Sequence, residues 1–317
     1  MGMYHVPALM EEALTALQLR PDGVYVDATF GGGGHARAIL ACLSEKGRLF
    51  ALDQDEQAEQ NAQGAPFSEH AGFQFVRANF RHLKQHLRAW GVSAGCVDGI
   101  LADLGVSSHQ LDTPHRGFSF RFDGPLDMRM NPNEERTAAE WLNESTEEML
   151  QAIFSQYGEV RNARTLAHAC VQFREVGAFR TTADLVQVCE RVAIGDRMRY
   201  LAQVFQALRI AVNDELGALK DFLRDATELL APGGRLVVIS YHSLEDRIVK
   251  NWLKTGNADG VPERDFYGHI RRPFALVTRK PIEPSEAEIC QNPRARSAKM
   301  RAGERLAETV IHPVNPT

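Results

Sequence analysis

One run of residues near the start of the chain constrains its fold more than any other. An apolar β pattern over 24–26 ends at Asp27, and four consecutive glycines follow at 31–34. Glycines allow a left-handed backbone and a close approach of the main chain to a ligand, and a helix that starts there presents free N–H groups. The run therefore predicts a strand, a ligand-binding loop and a helix in that order.

The spacing of the glycines leaves two nucleotide cofactors open. Gly31, Gly33 and Ala36 satisfy the dinucleotide fingerprint G-x-G-x-x-G/A. Asp53 closes a second β pattern, 53 − 31 = 22 residues after the first glycine, where an acid can bind a ribose diol. NAD and S-adenosylmethionine (AdoMet) both contain that ribose, so the fingerprint by itself does not separate them.

Asp27 discriminates between the two cofactors. A carboxylate placed just before the glycines repels a pyrophosphate but suits the ammonium and sulfonium charges of AdoMet. The alternative is that Asp27 only caps the glycine turn with its side chain. Taken with Asp53, it favours AdoMet, and an NAD-dependent oxidoreductase is kept as the alternative function.

The order of patterns along the chain predicts an α/β fold. Apolar β patterns occur at 23–27, 48–53, 73–77, 97–103 and 235–241, and helical patterns separate the first four. Strands that alternate with helices form a parallel sheet covered on both faces. We therefore expect a doubly wound, Rossmann-like fold. The segment Pro232–Gly234 stops a helix before the last β pattern.

The interval between Asp103 and Arg235 is too long for a single crossover. Capping-box patterns at Thr137 and Ser145, and a further helix start at Thr181, indicate helices inside it. We predict a discontinuous core at 1–106 and 211–317, interrupted by a helical substrate-recognition domain at 107–210.

Composition narrows the class of protein. The formal net charge of −5 gives no overall attraction to nucleic acid, so such a partner has to meet a local basic surface. The five cysteines are scattered and never form C-x-x-C, which argues against a disulfide framework or a thiolate metal site. No secretory signal or membrane-length apolar run is apparent, so we expect a cytoplasmic protein without a membrane partner.

Seven sequence blocks, spread over nearly the whole chain, resemble the bacterial 16S ribosomal RNA cytosine-N4 methyltransferases. They are DATFGGGGH (27–35), DLGVSS (103–108), RGFSF (116–120), GPLDMRM (124–130), FQALRI (205–210), HSLEDR (242–247) and NPRARS (292–297). The resemblance implies a class I methyltransferase core with an inserted helical domain. It also implies transfer of methyl from AdoMet, which leaves as S-adenosyl-L-homocysteine, to the exocyclic N4 of a decoding-centre cytosine near the P site. The partner it implies is 16S RNA, expected within the small ribosomal subunit, and naked 16S RNA is kept open as the substrate form.

Cofactor contacts follow from both lines of reasoning. The strand-and-glycine pattern nominates Asp27 and Gly31. The resemblance adds Gly33, Gly34, His35, Asp53, Phe80, Asp103 and Gln110. In physical terms, Phe80 can stack on adenine, Asp103 can face the methionine ammonium or the acceptor amine, and Gln110 offers both a donor and an acceptor.

Methyl transfer to a cytosine amine requires alignment and a hydrogen-bond acceptor for its N–H group. Asp103, at the end of the fourth β pattern, is the first candidate for that catalytic role, with backbone carbonyls of the loop as rivals. His242, directly after the fifth β pattern, is the second, and a purely structural histidine is an equally weighted alternative.

Two groups of residues are candidates for RNA binding. Arg116, Phe118, Phe120 and Arg121 interleave aromatic rings with guanidinium groups, as a site for an unstacked base does; the alternative is that the aromatic residues pack in the core, as on a short strand.

The second group begins at Arg294 and Arg296 and continues through Lys299, Arg301 and Arg305. With Arg271, Arg272, Arg279 and Lys280 it can contact phosphates, unless the run is only a solvated face. A non-catalytic RNA-binding assembly protein on the same fold is a third functional class, and a homodimer is left open.

Overall fold

The computed structural model describes residues 7–264 and 270–312. Residues 1–6, 265–269 and 313–317, which belong to the expected core segments, lie outside the described residues. The chain divides into two compact units, Met1–Gly105 with Gly217–Thr317, and Val106–Leu216.

The first unit is built on one seven-stranded sheet. Its strands are β1 Val24–Asp27, β2 Arg48–Asp53, β3 Phe73–Arg77, β4 Val97–Asp103, β5 Leu230–Ser240, β6 Ile270–Leu276 and β7 Lys299–His312. The order is β3-β2-β1-β4-β5-β7-β6. The first five strands are parallel, and β7 is antiparallel to both β5 and β6. This arrangement confirms the doubly wound α/β fold, whereas β6 and β7 were not predicted.

Thirteen α-helices occur in the described part of the chain. They are α1 Met10–Leu17, α2 Gly34–Leu40, α3 Glu56–Ala62, α4 Leu83–Ala89, α5 Ser108–Asp112, α6 Ala138–Glu144, α7 Glu147–Gly158, α8 Ala163–Val176, α9 Thr182–Val192, α10 Arg197–Asn213, α11 Glu215–Leu229, α12 Ser243–Thr255 and α13 Glu286–Gln291. Each helix in the described ranges is too short or too polar to span a bilayer.

The strand order determines where a ligand crevice is expected in the sheet. From β1 the chain proceeds to β2 and β3 on one side, and from β4 to β5 on the other. Adjacent β1 and β4 therefore form the topological switch point, where open α/β sheets bind ligands beyond the carboxyl ends of their strands. Asp27 and Asp103 are the last residues of these two strands.

The central strands are buried on both faces, as expected for a parallel sheet covered by helices. In β5, Val237 and Ile239 join one apolar core, whereas Leu236 and Val238 join the other. The Pro-Gly-Gly segment before them is a bulge inside β5 rather than a loop in front of it. Val97 pairs with Leu230, and Gly99, two residues later, pairs with Arg235.

The second unit is helical, with α5 to α10 around a core of its own. Thr137 begins α6 with the expected capping box. The helix start expected at Thr181 is confirmed by α9, which also begins with a capping box. The expected box at Ser145 is wrong, because Ser145 ends α6 and the side chain of Thr146 caps α7 instead. A helix can begin at either of two adjacent hydroxyl residues, and here the residue used is the one just after α6 ends.

Candidate functional site

The glycine loop between β1 and α2 is held by its own backbone and by Asp53. Gly31 and Gly33 adopt positive φ angles of 51° and 74°, and the Gly31 N–H donates to Asp53 Oδ2 at 2.7 Å. A Cβ on Gly33 would lie 2.6 Å from the Phe67 ring, whereas a Cβ on Gly31 would meet nothing within 4 Å. Gly33 therefore serves packing, and Gly31 borders open space.

Gly34 and His35 follow the loop on the first turn of α2. A Cβ on Gly34 would lie 2.3 Å from Pro7 Cγ, so this glycine permits a close packing contact. His35 is buried, and burial lowers its pKa to about 4 despite the opposite effect of the Ala8 backbone. The imidazole is therefore neutral, and its Nε2 atom has no hydrogen-bond partner among the described residues.

Asp27 is buried at the end of β1 with 1% of its surface exposed. Its Oδ1 accepts the Thr29 N–H at 3.1 Å, which is the turn-capping contact considered above. Its Oδ2 is also buried, and no described residue hydrogen-bonds to it. Burial, with a further contribution from the Asp53 charge, raises the Asp27 pKa to about 7. Asp27 thus caps the turn with one oxygen, and the other is buried with no partner among the described residues; its contact with a cofactor stays a prediction.

Asp53 lies at the end of β2, beside β1. Its Oδ1 accepts the Asp55 N–H at 2.9 Å, and its Oδ2 accepts the Gly31 N–H. Burial raises its pKa to about 6, against these backbone hydrogen bonds, which lower it. Each carboxylate oxygen keeps a second lone pair, so Asp53 retains the capacity to accept ribose hydroxyls.

Asp103 lies at the end of β4, across the switch point from Asp27. Its backbone N–H donates to Thr29 Oγ1 at 2.6 Å, and its Oδ1 accepts the Tyr241 hydroxyl at 2.9 Å. Its Oδ2 lies 3.9 Å from His35 Nδ1, and the neutral imidazole makes this a polar contact rather than an ion pair. Burial raises the Asp103 pKa to about 7, against the Tyr241 hydrogen bond, which lowers it. The nearby Asp27 and Glu245 charges raise it further.

Tyr241 and Thr29 are site residues that the sequence reasoning missed. Tyr241 directly follows β5, the strand next to β4, and Thr29 lies two residues after Asp27. The signal for Tyr241 was its place beyond the carboxyl end of a parallel strand, where site residues gather.

His242 is the N-cap of α12. Its Nδ1 accepts the Glu245 N–H at 3.4 Å, and its side chain is 7% exposed. This capping contact is the structural role given above as the alternative, and a catalytic role for His242 stays a prediction.

Phe80 and Gln110 differ in their surroundings. Phe80 is partly buried after β3 and packs edge-on against Phe222, with ring centroids 5.3 Å apart. Gln110 belongs to the helical unit, is buried, and completes a capping box with Ser107 at the start of α5. Cofactor contacts by either residue stay predictions.

The aromatic loop of the helical unit is mainly packed. Phe118 is 6% exposed, and Phe120 packs against Phe205 with ring centroids 5.4 Å apart. Arg116 donates to the backbone oxygens of Arg129 and Met130.

Of this loop's two arginines, only Arg121 is exposed. The loop contains no strand, and the burial of Phe118 and the packing of Phe120 agree with the packing alternative.

The other two nominated arginines lie near the crevice end of the sheet. Arg294 and Arg296 form part of a 3-10 helix at Pro293–Ser297, just before Lys299, which pairs with Ser240 at the end of β5. Arg296 is exposed, and Arg294 is half-buried.

The polar side chains at the ends of β1, β2 and β4 suit a cationic nucleoside as ligand. Three buried or half-buried carboxylates end adjacent strands, the Asp27 Oδ2 and His35 Nε2 atoms are buried without partners in the described ranges, and the loop is open at Gly31. A pyrophosphate would meet three acids, whereas the ammonium and sulfonium groups of AdoMet would be stabilised by them. The fold and the site together define an AdoMet-dependent methyltransferase.

Comparison with known proteins gives the family. The model of the MraW methylase family matches residues 2–306, so this chain belongs to that family. Ribosomal RNA small subunit methyltransferase H of Parabacteroides distasonis is 53% identical over 96% of this chain and 98% of that protein. The protein of the same name from Bacteroides thetaiotaomicron is 53% identical over 95% of this chain and 97% of its own length.

Among solved structures, a putative rRNA methylase from Clostridium thermocellum is 11% identical, with a TM-score of 0.45, over 96% of this chain and 100% of that chain. The family match and the curated relatives confirm the resemblance found in the seven sequence blocks.

Proposed function

We propose that this enzyme transfers a methyl group from AdoMet to the exocyclic N4 of a cytosine in the decoding centre of 16S ribosomal RNA, near the P site, within the small ribosomal subunit. The observation that carries the proposal is the group of carboxylates at the ends of β1, β2 and β4, in a chain whose full-length relatives are named as small-subunit rRNA methyltransferases.

AdoMet, when bound, supplies the electrophilic methyl group. Asp27 would stabilise a positive group of the cofactor with its free oxygen, and Asp53 would accept the ribose hydroxyls. Ionisation of Asp27 is favoured when a cation replaces the apolar surroundings that raise its pKa. The neutral His35 offers a polar atom without a second positive charge.

Asp103 acts on the acceptor. The lone pair of a cytosine amine is delocalised into the ring, so the amine has to be aligned and its N–H group bound while positive charge develops on nitrogen. The Tyr241 hydroxyl donates to Asp103 Oδ1, which leaves Oδ2 to accept the N–H group of the amine. No base is needed before transfer, because the methylated amine is acidic enough to lose its proton afterwards.

The helical unit is proposed to hold the RNA. Exposed Arg121 on this unit, and exposed Arg296 near the carboxyl end of β5, supply positive charge for phosphates. Such contacts fix position rather than sequence, so the choice of cytosine would rest on the shape of the RNA.

The direct test is transfer of labelled methyl from AdoMet to unmethylated 30S subunits and, in parallel, to naked 16S RNA, followed by nucleoside analysis. We expect N4-methylcytidine, at a higher rate in 30S subunits. AdoMet binding without label in either RNA would support the non-catalytic alternative, and NAD binding without AdoMet binding would support the oxidoreductase.

A further inference from the structure

The basic residues of the C-terminal region are not equivalent. Arg301 Nε donates to Asp246 Oδ1 at 2.6 Å in a half-buried ion pair, and Arg305 donates to the backbone oxygens of Thr227 and Pro273. These two guanidinium groups tie β7 to its neighbours, so they are structural.

Other basic residues line a groove between the end of α12 and the edge strand β6. Two adjoining cavities, of about 350 and 360 Å³, share Lys254, Arg272 and Leu276 as lining residues, and Arg279 lines the second one. We call this feature the α12–β6 groove. Leu276 and the neighbouring Val277 are 36% and 40% exposed, so apolar surface lies beside the cations.

The cations of the α12–β6 groove have no acidic neighbour in ion-pair range among the described side chains. Lys254, Arg272 and Arg279 are all exposed. Among the side chains that the structure describes, none of the three has an acidic or hydrogen-bonding partner. Three free cations in one groove of a chain with a net charge of −5 form a local positive surface, which favours a polyanion.

The groove lies away from the crevice in the same sheet. Lys299 pairs with Ser240 at the carboxyl end of β5, whereas Leu276 pairs with Gly303 and Arg272 with Val310. At about 3.3 Å per residue along β7, the groove is roughly 13 to 36 Å from the crevice end. A ligand in the groove therefore does not compete with AdoMet.

We propose that the α12–β6 groove binds the sugar-phosphate backbone of the substrate RNA, at nucleotides distant from the methylated cytosine. This inference rests on the proposed function, since it assigns a second contact surface to the same RNA. RNA is favoured because exposed Lys and Arg side chains can pair with successive phosphates, and the apolar surface of Leu276 and Val277 can cover riboses. The groove then contributes affinity and orientation, and the crevice contributes the chemistry.

The test compares two triple variants with equal loss of charge. Lys254→Ala/Arg272→Ala/Arg279→Ala removes the groove cations. Lys46→Ala/Arg88→Ala/Lys220→Ala removes three other exposed cations of the same unit that have no side-chain partner in the described part of the chain. Filter binding to 30S subunits and 16S RNA is measured from 50 to 300 mM KCl, together with AdoMet affinity, kcat and KM.

We expect the groove variant to bind RNA roughly 10- to 100-fold more weakly at 0.1 M salt. The slope of log K against log salt should fall by about two, since each lost phosphate contact removes about 0.7. AdoMet affinity and kcat should stay at the wild-type values, and the control variant should keep the wild-type slope.

A groove variant with wild-type slope and KM would overturn the proposal and leave the groove to another anion, such as an acidic peptide. An equal loss in the control variant would overturn it as well, because net charge alone would then explain the effect. Failure of the proposed function is a separate result, namely no N4-methylcytidine from the wild-type enzyme, whereas the binding comparison does not depend on methyl transfer.

Discussion

Replacing Asp27 by Asn should stabilise the cofactor-free enzyme while weakening its binding of AdoMet. Asp27 is 1% exposed, and its pKa rises from 3.8 to about 7 on folding. The unfolded chain ionises first as pH rises, so this carboxyl destabilises the folded state increasingly between pH 4 and 7, and the full cost is present above pH 7. At about 1.4 kcal/mol per pKa unit, the cost at pH 8 is about 4 kcal/mol.

The assay is urea unfolding of wild type and Asp27→Asn without cofactor at pH 8 and pH 5. Asn keeps an oxygen for the Thr29 N–H, so the free energy of unfolding should rise by up to about 4 kcal/mol at pH 8 and by less than about 2 kcal/mol at pH 5. Calorimetry at pH 8 should show AdoMet affinity reduced roughly 10- to 100-fold, as expected when a charged hydrogen bond of about 1.5–3 kcal/mol is lost.

The matched control is Asp225→Asn. Asp225 is a buried acid of the same unit whose pKa is also raised by burial, and it accepts the Lys84 N–H on α4. Its replacement should leave AdoMet affinity unchanged. A gain in stability for Asp27→Asn that is the same at both pH values, or wild-type AdoMet affinity in that variant, would refute the reasoning.

Three further outcomes are expected. Tyr241→Phe removes the donor that lowers the Asp103 pKa, so the pH of half-maximal turnover should rise by about one unit, with recovery by pH 9; an unchanged pH profile would exclude this positioning role. Asp103→Ala should lower kcat far more than it weakens RNA binding, and normal turnover would remove Asp103 from the mechanism. Gly33→Ala should cost about 1–3 kcal/mol of stability and weaken AdoMet binding, because its Cβ meets Phe67 and Phe30 and its φ is positive; thermal unfolding that matches wild type would contradict this.

Much of the crevice was predictable because its parts are local patterns repeated in a parallel sheet. Each of Asp27, Asp53 and Asp103 ends its own β pattern, and the carboxyl ends of parallel strands meet at one edge. Alternation of strands and helices was enough to place all three acids at that edge, whereas the order β2-β1-β4, which makes them neighbours, came from the structure. The capping box at Thr137 and the helix start at Thr181 were predictable for the same reason, because a cap involves residues only three positions apart.

Contacts between distant parts of the chain were not predictable. Tyr241 and Asp103 are 138 residues apart, and Arg301 and Asp246 are 55 apart. The sequence by itself determined the α/β class, the glycine loop and the acids at the strand ends, because period and spacing are local properties. Only the tertiary structure decided that Tyr241 donates to Asp103 and that Arg301 on β7 pairs with Asp246. It also decided that Lys254, Arg272 and Arg279 line one groove. These side chains come together only after the sheet is assembled.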